Sequence, residues 1–108
     1  KPITQTNNQY GARPMRTIET KMLEAIANKT DWQLDNTSVK YDAQTDTSRI
    51  HLFYNHICSY PHRKDTAPRA NKTVFAKYPT RTTVSRLRAL GINARIKQGQ
   101  PTINGELI

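Results

Sequence analysis

The sequence predicts a small α+β domain, and three patterns along the chain support this class. Apolar residues recur at spacings of three and four after Pro14, as they do on one face of a helix. The period then changes to two, which is typical of strands. Near the end of the chain a second helical spacing stops at Gly91 and is followed by alternating apolar and basic residues. We therefore expect an N-terminal amphipathic helix, a small antiparallel sheet, a short second helix like that of a helix-turn-helix, and a C-terminal basic β-hairpin.

The length of 108 residues suits one compact domain with a modest core. The first residues are polar and rich in Gln, Asn and Thr, so we expect residues 1–13 to form a flexible polar arm and residues 14–108 a single basic α+β domain. No apolar run approaches the roughly 20 residues that span a bilayer, and no membrane partner is expected. The single Cys58 cannot form an internal disulfide, which favours a reducing compartment such as the cytoplasm.

The first helix is expected to begin at Pro14, a residue suited to the first helical turn, and to run for about four turns. Its buried stripe comprises Met15, Ile18, Met22, Leu23 and Ile26. The opposite face is mixed in character and is expected to be solvated; it holds Arg16, Glu19, Thr20 and Asn28. We assign this helix to the scaffold.

A hairpin is expected next, with Val39 and Tyr41 in its first strand, a turn at "AQTDTS", and one long central strand over residues 49–60. Residues 61–72 contain two prolines, four basic side chains and no apolar residue larger than alanine. This composition predicts an exposed, mobile loop. The run "TVFAKY", residues 73–78, is expected to be a third strand.

The second helix has start and stop signals of its own. Its N-terminus can be capped by the hydroxyl group of Thr80, Thr82 or Thr83. Gly91 suits the left-handed residue after the last turn, and Ile92 can fold back onto Leu87, as in a Schellman ending. The buried stripe of this helix of about eight residues is expected to comprise Val84, Leu87 and Leu90.

After this helix the alternation predicts a hairpin, with Ile92, Ala94 and Ile96 on one face and Asn93, Arg95 and Lys97 on the other. The turn lies at "QGQP", and "TINGELI" supplies the returning strand. A short helix followed by a basic hairpin resembles the recognition helix and wing of winged-helix DNA-binding domains, which implies contact with DNA. Those domains have helices before the recognition helix, whereas a strand is expected here. The expected fold is therefore an α+β domain with an HTH-like element.

Charge is the most informative bulk property of the chain. It has 17 Lys and Arg against 8 Asp and Glu, a formal net charge of +9. Residues 1–62 hold seven basic and six acidic side chains, whereas residues 63–108 hold ten basic and two acidic ones. A concentrated positive surface attracts polyanions and gains affinity by releasing their counterions, so nucleic acid is the first partner to expect. Acidic proteins are an alternative partner, and a solvated basic face without a ligand has the same composition.

The outer face of the second helix combines small residues with long cationic side chains, which suits close approach to a DNA groove. The expected nucleic-acid contacts on this helix are Arg81, Thr82, Ser85, Arg86 and Arg88. The hairpin and the preceding loop are expected to hold neighbouring phosphates through Arg95, Lys97, Arg63, Lys64, Arg69 and Lys72. On this hypothesis, changing Arg86 and Arg88 to alanine weakens DNA binding without unfolding the protein.

Aromatic rings offer a second route to nucleic acid, because single strands stack on exposed rings that lie beside cations. The candidates are Phe53, Tyr54, Tyr60, Phe75 and Tyr78. A domain this small is expected to need most of these rings, together with Trp32, for its core. Duplex DNA is therefore preferred over single strands as the partner.

The run "YPTRTTVSRLRALGI", followed by "NG", resembles a TTxSRL-type pattern of small uncharacterised proteins encoded by bacteriophages. The resemblance implies a phage regulatory or host-takeover factor in the host cytoplasm, and it transfers no catalytic residue to this sequence. A hypothesis from another class is a phage inhibitor whose basic face binds an acidic surface of a host protein. Symmetric dimers are common among DNA-binding proteins, so a homodimer is also considered.

The run "HLFYNHICSYPH" is the strongest candidate for metal or enzyme chemistry. His56 and Cys58 are two apart on one expected strand and could share a zinc ion with His62, whereas His51 lies on the opposite face. A buried Cys among hydrogen-bonded histidines is the commoner explanation. Cys58 as a nucleophile with His56 would need a cleft and an oxyanion site that no motif indicates. Acidic residues are scattered singly and no phosphate-binding loop is present, so we expect no enzyme, metal or cofactor.

Overall fold

The computed structural model describes residues 16–108. The arm expected at residues 1–13, the helix start expected at Pro14 and the expected core residue Met15 lie outside the described part of the chain. In chain order its elements are α1 (Thr17–Ala27), β1 (Trp32–Leu34), β2 (Thr37–Asp42), β3 (Thr47–Leu52), β4 (Asn55–Pro61), β5 (Arg69–Ala70), α2 (Lys72–Lys77), α3 (Arg81–Ala89), β6 (Ala94–Lys97), β7 (Gln100–Ile103) and β8 (Glu106–Leu107). The α+β class predicted from the sequence is confirmed.

The first five strands form one antiparallel sheet in which each strand lies beside its neighbours in the chain, in the order β1-β2-β3-β4-β5. α1 packs on β1 and β2, the two strands at one edge of this sheet. The helical spacing of the first apolar stripe is confirmed, because Met22 and Ile26 are buried in the same core cluster as Val39 and Ile50 of the sheet. The core therefore lies between α1 and the first sheet and extends to the later helices.

The single long strand expected over residues 49–60 is wrong: the chain forms β3 and β4, joined by a two-residue turn at Phe53 and Tyr54. Both turn residues have positive φ angles, 51° and 69°, as a type I′ hairpin turn requires. Such turns usually contain Asn or Gly, so two aromatic residues give no turn signal. As a consequence, His51 and His56 are partners across a hairpin rather than residues on opposite faces of one strand.

The strand expected at residues 73–78 is also wrong, because Lys72–Lys77 forms the helix α2. The side chain of Asn71 caps this helix by accepting a hydrogen bond from the Val74 N–H at 3.2 Å. Phe75 is 1% exposed and belongs to the core cluster, while α2 packs against β4 and β7. The cap and the burial of one ring thus override the strand preference of a short run rich in Thr, Val and Phe.

The local signals predicted for the second helix, now α3, are confirmed in detail. Among the three capping candidates the cap is Thr80, whose Oγ1 accepts a hydrogen bond from the Thr83 N–H at 3.1 Å. Gly91 has a φ of 91°. Its N–H donates to the Arg88 carbonyl, and the Ile92 N–H donates to the Leu87 carbonyl, each at 3.0 Å. This pair of bonds is a Schellman motif.

The basic hairpin predicted after α3 is present and is extended by one short strand. β6, β7 and β8 form a second antiparallel sheet in that order. α3 packs on β6, and α2 contacts β7, so both helices connect this small sheet to the rest of the domain. None of the described helices combines the length and apolar character needed to cross a membrane.

Candidate nucleic-acid interface

Four of the expected phosphate-binding residues lie between β4 and α3 in sequence and are exposed. Arg63 and Lys64 belong to the loop after β4. Arg69 lies on β5, which is an edge strand of the first sheet, and Lys72 is the first residue of α2. A cation on a sheet edge also discourages edge-to-edge association, which gives Arg69 a structural explanation beside the functional one.

A second group of cations lies where α3 meets β6. Arg88, in the last turn of α3, donates from Nη1 to the Ala94 carbonyl oxygen at 3.2 Å. This contact places its guanidinium beside the backbone that continues into Arg95 and Lys97, which alternate along β6 and share one exposed face. We call the set Arg88, Arg95 and Lys97 the basic edge. Arg81, the first residue of α3, is exposed at the opposite end of the helix.

None of the ion pairs formed within residues 16–108 includes a residue of the basic edge, so its positive charges are not neutralised by a carboxylate. The ion pairs are Lys29–Asp46 and Arg49–Asp42, each 3.0 Å between nitrogen and oxygen, and Arg86–Glu19 at 2.8 Å. Asp65 and Glu106, the acidic residues of the basic part of the chain, form no ion pair within these residues. The positive field of the basic edge is therefore available to an external anion.

The placement of Arg86 on the outer face of the helix is wrong, because its side chain is buried. The residue is 3% exposed, and Glu19 on α1 is 4% exposed. Arg86 donates from Nη1 to Glu19 Oε2 at 2.8 Å, from Nε to Thr37 Oγ1 at 2.9 Å and from Nη2 to Asn36 Oδ1 at 3.4 Å. A buried carboxylate needs a charged, hydrogen-bonding partner, and Arg86 supplies it. Because Glu19 is buried, its expected place on the solvated face of the first helix is wrong as well.

The Ser85 hydroxyl also donates to Glu19 Oε2, which removes this side chain from the expected DNA-contacting face. A signal for this arrangement is present in the sequence. Thr83, Arg86 and Leu90 stand at i, i+3 and i+7, the spacing of one helix face, and all three are buried beside Leu87. The predicted DNA face of α3 is therefore reduced to Arg81 and Arg88, which are exposed, and Thr82, which is half-buried.

The TTxSRL run acquires a structural explanation from these contacts. Thr83 is buried, and its hydroxyl lies 2.9 Å from that of the cap residue Thr80. Ser85 and Arg86 bind Glu19, while Leu87 is fully buried in the core. The run thus attaches α3 to α1 and to the sheet rather than forming a surface for recognition.

The histidine and cysteine side chains make separate contacts rather than converging on one point. The rings of His51 and His56 lie 5.4 Å apart between centroids, and His62 Nε2 lies 2.8 Å from the Ser48 hydroxyl. Cys58 is fully buried, and burial raises the pKa of its thiol to about 12, which does not suit a nucleophile. Within residues 16–108 no group of three or more His, Cys, Asp or Glu side chains is placed to hold a metal ion.

The aromatic candidates divide between core and surface. Phe75 is buried and Tyr60 is half-buried. Phe53, Tyr54 and Tyr78 are exposed, Phe53 by 62% and Tyr54 by 92%. The expectation that most of these rings belong to the core is therefore wrong, and exposed rings as well as exposed cations characterise the surface of the domain.

The neighbouring side chains of His51 and His56, the histidine pair, predict a loss of stability in mild acid. Burial, followed by the charge of His56, lowers the pKa of His51 from 6.5, and burial also lowers the pKa of His56. A histidine whose pKa is lowered in the folded state binds a proton more readily in the unfolded state. Its contribution to the free energy of unfolding is therefore complete above about pH 6.5 and is lost as the pH falls through the folded-state pKa. We expect the melting temperature to fall between about pH 7 and about pH 5.

The measurement is thermal unfolding across this pH range for the wild type and a His51→Gln/His56→Gln variant. The variant should show a flatter pH dependence, and an unchanged dependence would contradict the assignment. The positive charges of Lys40 and Arg49 oppose protonation of the pair as well. The hydrogen-bonded carboxyls of Asp42 and Asp46 have pKa values lowered from 3.8, so their contribution is lost at a lower pH than the range tested.

Comparison with known proteins gives a match to a protein-family model. The model, described as Kyanoviridae Gp96 protein, matches residues 15–106 of the chain. Neither a curated protein nor a solved structure matches the chain. The match confirms the expectation of a small phage protein, whereas the winged-helix resemblance and the TTxSRL pattern as a phage signature are not confirmed.

Proposed function

The chain belongs to the Kyanoviridae Gp96 protein family, a family of phage proteins, and we propose that it is a non-enzymatic protein that binds duplex DNA in the host cytoplasm. The observation that supports the proposal is the basic edge. Arg88, Arg95 and Lys97 are exposed, occupy one junction between a helix and a hairpin, and form no ion pair within residues 16–108. A regulatory or host-takeover role would follow from such binding.

Contacts with phosphate explain how this surface would bind. Each phosphate neutralised by Lys or Arg releases condensed counterions from the DNA, and this release contributes affinity without regard to sequence. Arg88 and Arg95 can offer paired N–H donors to phosphate oxygens, while Lys97 supplies a compact charge. Arg63 and Lys64, which are exposed in the loop after β4, would add further phosphate contacts.

The proposal is tested by comparing affinities for a mixed-sequence duplex, the matching single strand and heparin. The informative variant is Arg95→Ala/Lys97→Ala, because both side chains are exposed and the Arg88 contact with Ala94 is kept. We expect it to bind the duplex about tenfold more weakly, from about 0.7 kcal/mol per exposed charge. Its melting temperature should stay close to that of the wild type.

A matched control removes the same charge elsewhere. Arg16 and Lys21 are exposed near and on α1 and form no ion pair within the described residues, so Arg16→Ala/Lys21→Ala should bind like the wild type. Equal losses in both variants, or equal competition by heparin, would show a general polyanion surface and contradict the assignment to the basic edge. A single stoichiometric protein retained from nuclease-treated host lysate would favour the inhibitor hypothesis instead.

A further inference from the structure

The helices within residues 16–108 pack on one face of the first sheet. On that face Val39, Ile50 and Cys58 lie opposite one another on β2, β3 and β4, and all three belong to the core cluster. The same cluster contains Met22 of α1, Phe75 of α2 and residues of α3. Side chains alternate between the two faces of a strand, so a second set of residues lies on the face away from the helices.

A row of polar side chains crosses this second face. Lys40 on β2 lies directly opposite Arg49 on β3. Arg49 lies opposite Ser59 on β4, which in turn lies opposite Arg69 on β5. Directly opposite residues of antiparallel strands share a face, and each of these four is next in sequence to a residue that packs in or against the core cluster. Lys40 and Arg69 are exposed, and the other two are half-buried.

The histidine pair lies on the same face as this row. His56 Nε2 is 3.1 Å from the Ser59 hydroxyl, and the His51 and His56 rings are 5.4 Å apart between centroids. These contacts are made although the register of β3 and β4 shifts next to His51 and places Ile57 in the core. We call this surface the open face; it comprises Lys40, Arg49, His51, His56, Ser59 and Arg69.

The charge of the open face suits an anion longer than one phosphate group. Arg49 is paired with Asp42 at 3.0 Å, whereas Lys40 and Arg69 form no ion pair within the described residues. Neighbouring strands are about 4.8 Å apart, so the backbones at Lys40 and Arg69, which are three strand spacings apart, are separated by about 14 Å. A nucleic-acid strand can bring different phosphates to the two side chains.

Exposed aromatic rings border the open face. Phe53 and Tyr54 form the turn between β3 and β4 and are 62% and 92% exposed. They line a depression of about 650 Å³ that Lys40 and His51 of the open face also line. Both turn residues have positive φ angles, which bulky residues adopt at a cost, and burial in the core does not offset that cost. Bases of a single strand stack on exposed rings that lie beside cations.

We propose that the open face binds single-stranded nucleic acid. Lys40 and Arg69 contact phosphates of the strand, and a base stacks on Phe53 or Tyr54. A duplex keeps its base faces within its own stack, and an acidic protein has no base, so the two rings favour a single strand over both. The basic edge belongs to α3 and β6, and α3 packs on the core face through Leu87. The open face is therefore a separate surface, and its role stands or falls independently of the duplex site.

The experiment measures the fluorescence anisotropy of labelled oligothymidylate and oligouridylate, each of about 12 nucleotides. We expect saturable binding that weakens with salt, and the tighter of the two probes identifies DNA or RNA as the preferred strand. No saturable binding of either probe would overturn the proposal. Competition by polyglutamate as effective as that by unlabelled oligonucleotide would also overturn it, in favour of an acidic protein partner.

The charge variant Lys40→Gln/Arg69→Gln removes the two unpaired cations of the open face. Its affinity for the single strand should fall about tenfold, while its melting temperature stays close to that of the wild type because both side chains are exposed. Arg16→Gln/Lys21→Gln removes the same charge near and on α1 and should bind like the wild type. Equal losses in the two variants would show a general polyanion surface and contradict the proposal.

A turn replacement tests the role of the two rings. Phe53→Asn/Tyr54→Gly supplies the preferred residues of a type I′ turn, so its melting temperature should equal or exceed that of the wild type while single-strand affinity falls at least about fivefold. Retained affinity would contradict stacking on this turn. Tyr78→Ala, which removes an exposed ring after α2, is the aromatic control and should bind like the wild type.

The basic-edge variant Arg95→Ala/Lys97→Ala distinguishes the two proposed surfaces. It should keep its affinity for the single strand, and Lys40→Gln/Arg69→Gln should keep its affinity for the duplex. If the basic-edge variant loses single-strand binding while the open-face variant keeps it, the strand binds at the basic edge and the role of the open face is overturned.

Discussion

Changing Arg86 to alanine should lower the free energy of unfolding by about 3–5 kcal/mol. The substitution leaves the Glu19 carboxylate in a buried site without its ion-pair partner, and it removes the donors to Thr37 and Asn36. An uncompensated buried charge costs far more than the net gain from a well-paired one. Small domains have a total stability of about 5–15 kcal/mol, so the variant should be near its unfolding threshold at ordinary temperatures.

Urea denaturation of Arg86→Ala and Arg88→Ala provides the measurement and its control. Arg88 is exposed and loses one hydrogen bond to a backbone carbonyl, so its variant should lose about 1 kcal/mol or less. A paired Glu19→Leu/Arg86→Met variant should recover much of the stability, because no charge is then left buried. Equal losses in the two single variants would contradict the buried ion pair.

The buried position of Arg86 changes how the basic helix is tested. The sequence alone predicts that replacing Arg86 together with Arg88 weakens DNA binding without unfolding, but Arg86 is part of the contact between α1 and α3. A loss of binding in that double variant would reflect a loss of folded protein. Variants of exposed cations such as Arg95 and Lys97 avoid this ambiguity.

Changing Phe75 to alanine should lower the free energy of unfolding by about 3–5 kcal/mol. Phe75 is the largest of the fully buried side chains within residues 16–108, and it joins α2 to the common core. Removing the ring forfeits its burial and leaves a cavity between α2, β4 and β7, the strands against which the helix packs. The second sheet should be loosened as well, because α2 is one of its two helical supports.

Tyr78→Ala is the matched aromatic control, since Tyr78 follows α2 and is exposed. We expect it to cost about 0.5 kcal/mol or less in the same denaturation experiment. A similar small loss for Phe75→Ala would mean that the ring is not buried and would favour the strand predicted for residues 73–78. Retained helix content with a large loss of stability supports the packing of Phe75 in the core.

The elements predicted correctly from the sequence are those specified by local signals. The apolar stripe of α1, the Thr80 cap and the Gly91 ending of α3, and the hairpin after it depend on spacing and on residues close in the chain. The missed elements depend on tertiary context or on unusual chemistry. α2 is a helix because Phe75 enters a core built by distant strands, and the Phe53–Tyr54 turn lacks the residues that normally mark such turns.

The candidate site, like the fold, is predicted from the sequence only in part. Charge asymmetry predicts that the later part of the chain carries exposed cations, and Arg88, Arg95 and Lys97 are exposed. It does not predict which arginine is taken up by a buried carboxylate 67 residues away, since the partner of Arg86 lies on α1. Exposed rings are likewise a property of the folded chain, because Phe53 and Tyr54 are at the surface as the turn between β3 and β4.

The most direct test of the basic edge as a DNA-binding surface is the salt dependence of duplex affinity. The slope of log K against log salt concentration falls by about 0.9 for each phosphate that the protein no longer neutralises, so Arg95→Ala/Lys97→Ala should reduce the slope by about 2 relative to the wild type. The control Arg16→Ala/Lys21→Ala should leave the slope unchanged. If the two variants have the same slope, the basic edge makes no specific contribution to DNA binding, and the proposed interface is wrong.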